Sequence, residues 1–460
     1  MRLNARVPLA GFSSIPVHEP GALQTFAPEA ELGRLVSCCL LGERQFYVDG
    51  ADIEVRIREL AAQVEPERVA DLALKARRDL GLRHAPLLLL VALAARGRGD
   101  LLRPAARTVL RTPRDAMDLL ALYWRDGKRP LPRAFKDAFA AGFARWTDHQ
   151  IAKYATLTNV SVRLRDLAFL SHPAPGGREA LFRALADDAL TAPDTWERAI
   201  SRPGADKRAE WERLLREGKL GALALVRNLR NMEQAGVDPA LVRDAMGKVR
   251  ASDVWPWQLL AAAREAPAYT HDLDALMLRS CGALPRLPGK TGVLVDVSGS
   301  MDSGISERGT MRRMEAAAGL AVVLREVCER SVVASFSTEV AVVDEPMPRG
   351  ARLASTIVGS QPHGGTALAR SVQAFTAHVP DLHRLVVLTD EQAQDRFTAP
   401  IGLPVVVVNL ASYQRGMNWQ GPVARINGWS GGVVRWMADH FAGAAVAAET
   451  EGEDEPDPTH

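Results

Sequence analysis

From about Ile53 to Ala266 apolar residues recur three and four positions apart, in segments of ten to sixteen residues broken by Pro, Gly or Asp. That is the spacing of helices that each bury one face. Glu67–Leu80, Pro86–Arg96, Asp115–Arg125, Arg133–Arg145, Asp206–Arg216 and Leu220–Gln234 are predicted helical on this basis, and strand signals are scarce among them. Helices joined by short loops over such a span pack as a bundle or as an α-solenoid; with no repeat visible in the sequence, both stay open. At Cys281–Lys290 (CGALPRLPGK) two prolines and two glycines interrupt the pattern, and a domain boundary is expected there. Short β-branched runs then alternate with helical stretches: Gly292–Val297, Ser331–Ser337, Val340–Val343, Arg384–Thr389 and Pro404–Leu410 are predicted strands, and Arg312–Glu329, Thr366–His378 and Gly432–Val446 predicted helices. Continuous apolar strands separated by helices imply a parallel sheet covered on both faces. Glu449–His460 holds six acidic side chains in twelve positions and no large apolar residue, the composition of a disordered acidic tail.

Composition changes this picture little. A chain of 460 residues that is 47% apolar and 24% charged is an ordinary multidomain globular protein. The longest apolar run, Ala85–Ala95, is about half what a bilayer requires, and the N-terminus lacks a sustained apolar segment. Neither a membrane span nor a secretory leader is expected. Four cysteines, Cys38, Cys39, Cys281 and Cys328, show no zinc-ligand spacing, and a reducing cytoplasm is the expected compartment. The net charge of +2 is uneven: +7 over residues 1–285, +9 within 101–250, and −5 over 286–460. An arginine-rich solvated surface and a face for polyanions explain the excess equally well.

The candidate chemistry begins at Val293–Met301 (VLVDVSGSM), where a D-x-S-x-S motif follows the first predicted strand of the α/β region. In open parallel sheets ligands bind beyond the carboxyl ends of strands, at the switch point, which is where Asp296, Ser298 and Ser300 would lie. Mg²⁺ prefers oxygen ligands in near-octahedral geometry and keeps some water, so a carboxylate and two hydroxyls on one turn suit it. Two further oxygens are available from Thr366, after the glycine pair of HGGTAL, and Asp390, ending RLVVLTD. Asp302 and Glu307 lie nearby in sequence but are read as loop-surface residues. In this order the elements resemble the metal-ion-dependent adhesion site of von Willebrand A domains. The resemblance spans residues 290–447, implies a Rossmann-like α/β fold, and implies a cation that leaves one coordination position for an acidic group of a partner.

A hydrolytic reading is disfavoured. It needs an activated water and a base, and no histidine is placed to serve; His363 is as easily a loop residue. Gly289-Lys290-Thr291 mimics the end of a Walker A motif, but Leu284 stands where its upstream glycine belongs and a strand follows where a helix should begin. The chain is therefore expected to be noncatalytic.

Several stretches of the helical part resemble, in order, the TROVE module of the Ro ribonucleoprotein family. They are LGERQFYVDGADIEV (Leu41–Val55), KRPLPRAFKDAF with KYATL (Lys128–Phe139, Lys153–Leu157), RLRDLAFLSHP (Arg163–Pro173), LVRNLRNM (Leu225–Met232) and VWPWQLLAA (Val254–Ala262). Asn418–Met437 (NWQGPVARINGWSGGVVRWM) is similar to the Ro version of the A domain. The resemblance implies three parts: residues 1–285 as a closed ring of HEAT-like repeats (TROVE), residues 290–447 as the A domain, and residues 448–460 as the acidic tail. It further implies binding of small noncoding Y RNA on a basic outer surface, and of misfolded or single-stranded RNA ends through the ring. Lys128, Arg129, Arg133, Lys136, Arg145 and Lys153 form the densest basic run, and His172 matches a position that touches Y RNA in the family. A plain helix C-terminal histidine before Pro173 is the alternative for His172. Trp124 and Trp146 could stack bases, but tryptophans at helical spacing are more often core. Where the family continues its basic run, this chain reads Ala155-Thr156-Leu157, and Arg163 or Arg165 could meet the phosphate instead.

Two functions follow as expectations. One is a monomeric RNA-binding protein for RNA quality control or for tethering RNA to a nuclease. The other is a metal-dependent protein adaptor that works through the adhesion site.

Overall fold

The computed structural model describes residues 4–7, 27–38, 50–79, 81–305, 311–343, 346–393, 397–410, 419–420, 423–427, 433–438 and 440–441. The acidic tail, Glu307, Cys39 and most of the Leu41–Val55 stretch lie outside them. The chain divides into two compact units, one of Gln24–Gly42 with Asp49–Thr195 and the other running from Trp196 onward together with the strand Asn4–Val7.

The first unit is helical among its described residues. Predicted and observed helices agree closely: Pro66–Arg78, His84–Ala95, Pro113–Tyr123 and Arg133–Arg145 occupy the expected places. Starts are set by local chemistry. Thr112 forms a capping box with Asp115, Thr147 forms one with Gln150, and prolines occupy the first helical position where their missing N–H costs nothing. The apolar run at Ala85–Ala95 belongs to a helix that packs against four others, Gly50–Gln63, Pro66–Arg78, Gly99–Val109 and Pro113–Tyr123. It is therefore apolar on all sides, and no helix among the described residues is long and apolar enough to cross a membrane. The core holds a buried charge cluster around Asp115. Asp115, 1% exposed, accepts from Arg77 Nη2 at 2.8 Å, from Arg83 at 3.3 Å and from the Thr112 N–H at 2.9 Å.

The second unit is built on a seven-stranded sheet. Its strands are β1 (Asn4–Val7), β2 (Leu287–Asp296), β3 (Cys328–Phe336), β4 (Val340–Val343), β5 (Arg384–Thr389), β7 (Val405–Asn409) and β9 (Val423–Asn427); β6 (Phe397–Thr398) and β8 (Trp419–Gln420) form a separate pair. The order is β1-β4-β3-β2-β5-β7-β9, parallel from β3 to β9, with β4 and β1 added antiparallel. Both faces are covered, which accounts for the continuous apolar strands. Val293 and Val295 face one core, with Val386, Leu388 and Met314. Leu294 faces the other, with Val387, Leu368 and Phe375.

The first of these cores reaches beyond the sheet. It runs from Ala199, Trp211 and Leu225 through Leu259, Leu276 and Met277 to Val293 and Phe441 without a break. The helices Pro256–Glu265 and Thr270–Cys281 pack on the helix Arg313–Val327, close enough that a Cβ on Gly319 would sit 3.0 Å from Leu260 Cδ1. The change of texture at Cys281–Lys290 is thus a change from helix to strand inside one core, while the compact units divide at Thr195 and Trp196. The predicted helix Leu220–Gln234 is two, Ala222–Arg227 and Leu229–Gln234. Asn228 separates them, turning its Nδ2 back to the Ala224 carbonyl at 2.8 Å and competing with the helical ladder.

Candidate metal centre and basic helical face

The strand order reverses at β2, whose neighbours β3 and β5 are reached by crossovers in opposite directions. Asp296 ends β2 and Asp390 follows Thr389 at the end of β5, so the two carboxylates meet at the carboxyl edge of the sheet, at its switch point. Ser300 Oγ donates to Asp390 Oδ1 at 3.1 Å and lies 3.2 Å from Ser298 Oγ. Asp296 accepts from the Ser298 N–H at 2.9 Å on one oxygen and from Thr389 Oγ1 at 2.7 Å on the other. The Thr366 loop is tied alongside: Gly299 N–H donates to the Gly364 carbonyl at 2.9 Å, and His363 Nδ1 is 2.8 Å from the Val297 carbonyl. His363 thus holds the two loops together. Asp296, Ser298, Thr366 and Asp390 are all buried.

The donor set has the chemistry of a hard-cation site. Burial pushes the Asp296 carboxyl up to about 7, and the neighbouring charge of Asp390 adds to it. Asp390 is likewise raised by burial, offset in part by the Arg313 guanidinium. Two buried carboxylates with hydroxyl oxygens between them hold negative charge that a divalent cation would neutralise. Among the described residues no cluster of three or more His, Cys, Asp or Glu could hold a metal, so this carboxylate and hydroxyl set is of a different type from such clusters. Arg313, on the first turn of its helix, is a member that the sequence does not single out; its Nη1 is 3.2 Å from Asp390 Oδ2. Next in the chain, Glu391 takes a left-handed conformation (φ 59°) and forms a buried ion pair with Arg425 of β9, fixing the turn that carries Asp390.

The residues expected to contact RNA sort into two groups. Lys128, Arg133 and Lys136 are exposed, and no described carboxylate pairs with them; Lys128 Nζ lies 5.5 Å from the centre of the Trp124 ring. Of the others, Arg129 and Arg145 carry internal duties. Arg129 stacks over Tyr123 at 4.0 Å and donates to its carbonyl, and Arg145 caps the carbonyls of Arg107 and Leu110 at 2.8 and 3.2 Å. Lys153 is half-buried on the helix Asp148–Ala155. His172 is exposed in a left-handed C-cap, φ 47° and ψ 57°, with its N–H on the Ala168 carbonyl, beside Phe169 at 57% exposure. Arg163 and Arg165 both pair with Asp188, at 2.8 and 3.3 Å, so neither stands free to meet a phosphate in place of the uncharged Ala155–Leu157 segment. Trp146 is core, 2% exposed, and Trp124 is half-buried with Nε1 on the Arg129 carbonyl at 3.0 Å.

Comparison with known proteins finds a family model and solved structures that resemble the chain. Residues 183–269 match the TROVE domain. The crystal structure of the Deinococcus radiodurans Ro (RSR) protein shares the fold with a TM-score of 0.56, covering 87% of this chain and 96% of that one at 18% identity. No curated protein sequence matches the chain.

Proposed function

We propose that this Ro-type TROVE protein, with the fold of a bacterial Ro, is a noncatalytic RNA-binding protein. The carrying observation is the group of exposed cations Lys128, Arg133 and Lys136, none paired with a described carboxylate, at the start of the helix Arg133–Arg145 and in the segment before it. Cations on a rigid helix contact phosphates without reading bases, and shape and single-strandedness then select the RNA. The finer reading follows the family resemblance: Y-like small RNA on the basic face near His172, and misfolded or single-stranded ends taken through a HEAT-like ring, for RNA quality control or for tethering RNA to a nuclease. Changing Lys128, Arg133 and Lys136 together to Ala should weaken single-stranded RNA binding and lower the slope of log affinity against log salt by about 2, at roughly 0.7 per phosphate contact. Binding that ignores salt, or RNA absent from protein purified from its own cells, refutes the reading.

The von Willebrand A reading of residues 290–447 supplies the second part. Asp296, Ser298, Ser300, Thr366 and Asp390 would hold Mg²⁺, and the cation would offer a coordination position to an acidic group of a protein partner. This docking reading draws support from the buried carboxylate and hydroxyl set, and it is compatible with RNA binding elsewhere on the chain. A partner captured by the wild type and lost with Asp296→Ala supports docking; retention of every partner by that variant refutes it.

A further inference from the structure

The second unit carries a groove of about 690 Å³ that neither the metal centre nor the basic run uses, between the helix Trp196–Ser201, the helix Lys207–Arg216 and the segment around Asn228–Ala235. Its volume lies within the range of small-ligand sites. On one side Trp196, half-exposed, stacks on Trp211 with ring centres 5.9 Å apart and planes 24° apart. Trp211 is 1% exposed, so the partly open ring rests on a fixed one. Facing it are two amides in series: Asn228 Nδ2 donates to the Ala224 carbonyl, and Asn231 Nδ2 donates to Asn228 Oδ1 at 2.9 Å. The exposed Asn231 amide is thereby held in one orientation with a second N–H and its own oxygen left over, a donor beside an acceptor. At the rim the charges nearly balance. Lys207 is exposed with no ion pair among the described residues, Arg208 is held by Glu212 at 3.0 Å, Asp206 caps Ala209, and Glu197 is the second acid.

A groove with balanced charge does not attract a bare phosphate. An aromatic platform, an oriented amide, carboxylates able to accept from ribose hydroxyls, and a single ammonium at the rim fit a nucleotide held by its base and sugar. We propose that this groove takes one unstacked nucleotide of a single-stranded RNA, its base against Trp196, its base edge on Asn231 and its phosphate toward Lys207. The proposal rests on the RNA-binding reading, and it assigns a base-stacking subsite separate from the phosphate contacts of Lys128, Arg133 and Lys136. Larger rings stack better, so a purine is preferred. The amide alone discriminates weakly, because many base edges set a donor beside an acceptor.

The test measures binding of short oligoadenylate, oligouridylate and the matching deoxyoligonucleotide to the full chain at two salt concentrations. Trp196→Ala should lower oligoadenylate affinity about tenfold, the loss of one stacked base, with the salt slope unchanged. Trp196→Phe should keep most of the affinity, and Asn231→Ala, at an exposed position, should lose several-fold without loss of helicity. Oligoadenylate should bind more tightly than oligouridylate or the DNA version. Wild-type affinity in both Trp196→Ala and Asn231→Ala, with weakening only on loss of Lys128, Arg133 and Lys136, overturns the subsite and leaves RNA binding standing. Equal losses in Trp196→Phe and Trp196→Ala with normal binding by Asn231→Ala also overturn it, because Trp196 then acts through packing alone. If the wild type binds none of the three, the RNA reading falls as well.

Discussion

Arg313 Nη1 lies 3.2 Å from Asp390 Oδ2 with both side chains buried, so a fixed positive charge stands at the edge of the set of oxygens that would hold a divalent cation. The guanidinium offsets one of the two carboxylate charges and so lowers the pull on a metal. Removing one partner of a buried ion pair leaves the other uncompensated, at a cost of about 3 kcal/mol or more. Arg313→Gln should therefore unfold earlier than wild type in EDTA. It should recover most of that loss in millimolar Mg²⁺, whereas wild type gains less from the ion. Urea unfolding of both proteins with and without Mg²⁺ checks this; an equal deficit in both conditions means that arginine and cation do not compete.

Acidity at the same centre has a definite sign. Asp296 is raised from an ordinary 3.8 to about 7 by burial and then by the charge of Asp390, while Arg313 faces Asp390 from the adjoining helix. Between these values the unfolded chain has released a proton that the folded one keeps. This group's contribution to stability therefore falls as pH rises from about 4 to 7 and changes little above. A divalent cation favours the ionised form and reverses the loss. Stabilisation by Mg²⁺ should be small at pH 5 and larger at pH 7.5, and Asp296→Asn should abolish the difference. Thermal melts at the two pH values decide the matter.

In the first unit, Asp115 accepts from Arg77, Arg83 and two backbone N–H groups while 1% exposed, and Arg77 is itself buried. Asp115→Ala strands the Arg77 guanidinium and removes the carboxylate half of the capping box with Thr112, a loss of about 3–5 kcal/mol. Loss of helical signal at lower urea, with metal response unchanged, is the expected result. A change under about 1 kcal/mol would show that water replaces the carboxylate.

Much of the fold is legible in the sequence because period and burial agree. Arg133–Arg145 and Arg384–Thr389 match their expected bounds to the residue, since one has a clear helical stripe and the other an unbroken apolar run. The helix Gly350–Val358 and the strands β1 and β9 are additions that the pattern does not announce. β1 is a four-residue edge strand that pairs with β4 far along the chain, and nothing local marks it. The meeting of Asp296, Ser300 and Asp390 can be inferred because strand ends in a parallel sheet gather at one edge. Arg313 cannot, because its position against Asp390 depends on where the first turn of a long helix lands. Nor can the sequence tell Lys136, exposed and without a described carboxylate partner, from Arg145, whose guanidinium closes two carbonyls outside its own helix.

The unbroken core from Ala199 to Phe441 bears on how the chain can be cut. A fragment beginning at residue 290 would keep every candidate metal ligand but strip the helices Pro256–Glu265 and Thr270–Cys281 from their neighbour, baring apolar surface that the sheet has no other means to cover. One beginning at Trp196 would carry its own lid. A proteolytic nick between Thr195 and Trp196 should leave both cores whole, the N-terminal piece still joined to the sheet through β1, while one in the loop after Cys281 should leave both products sticky.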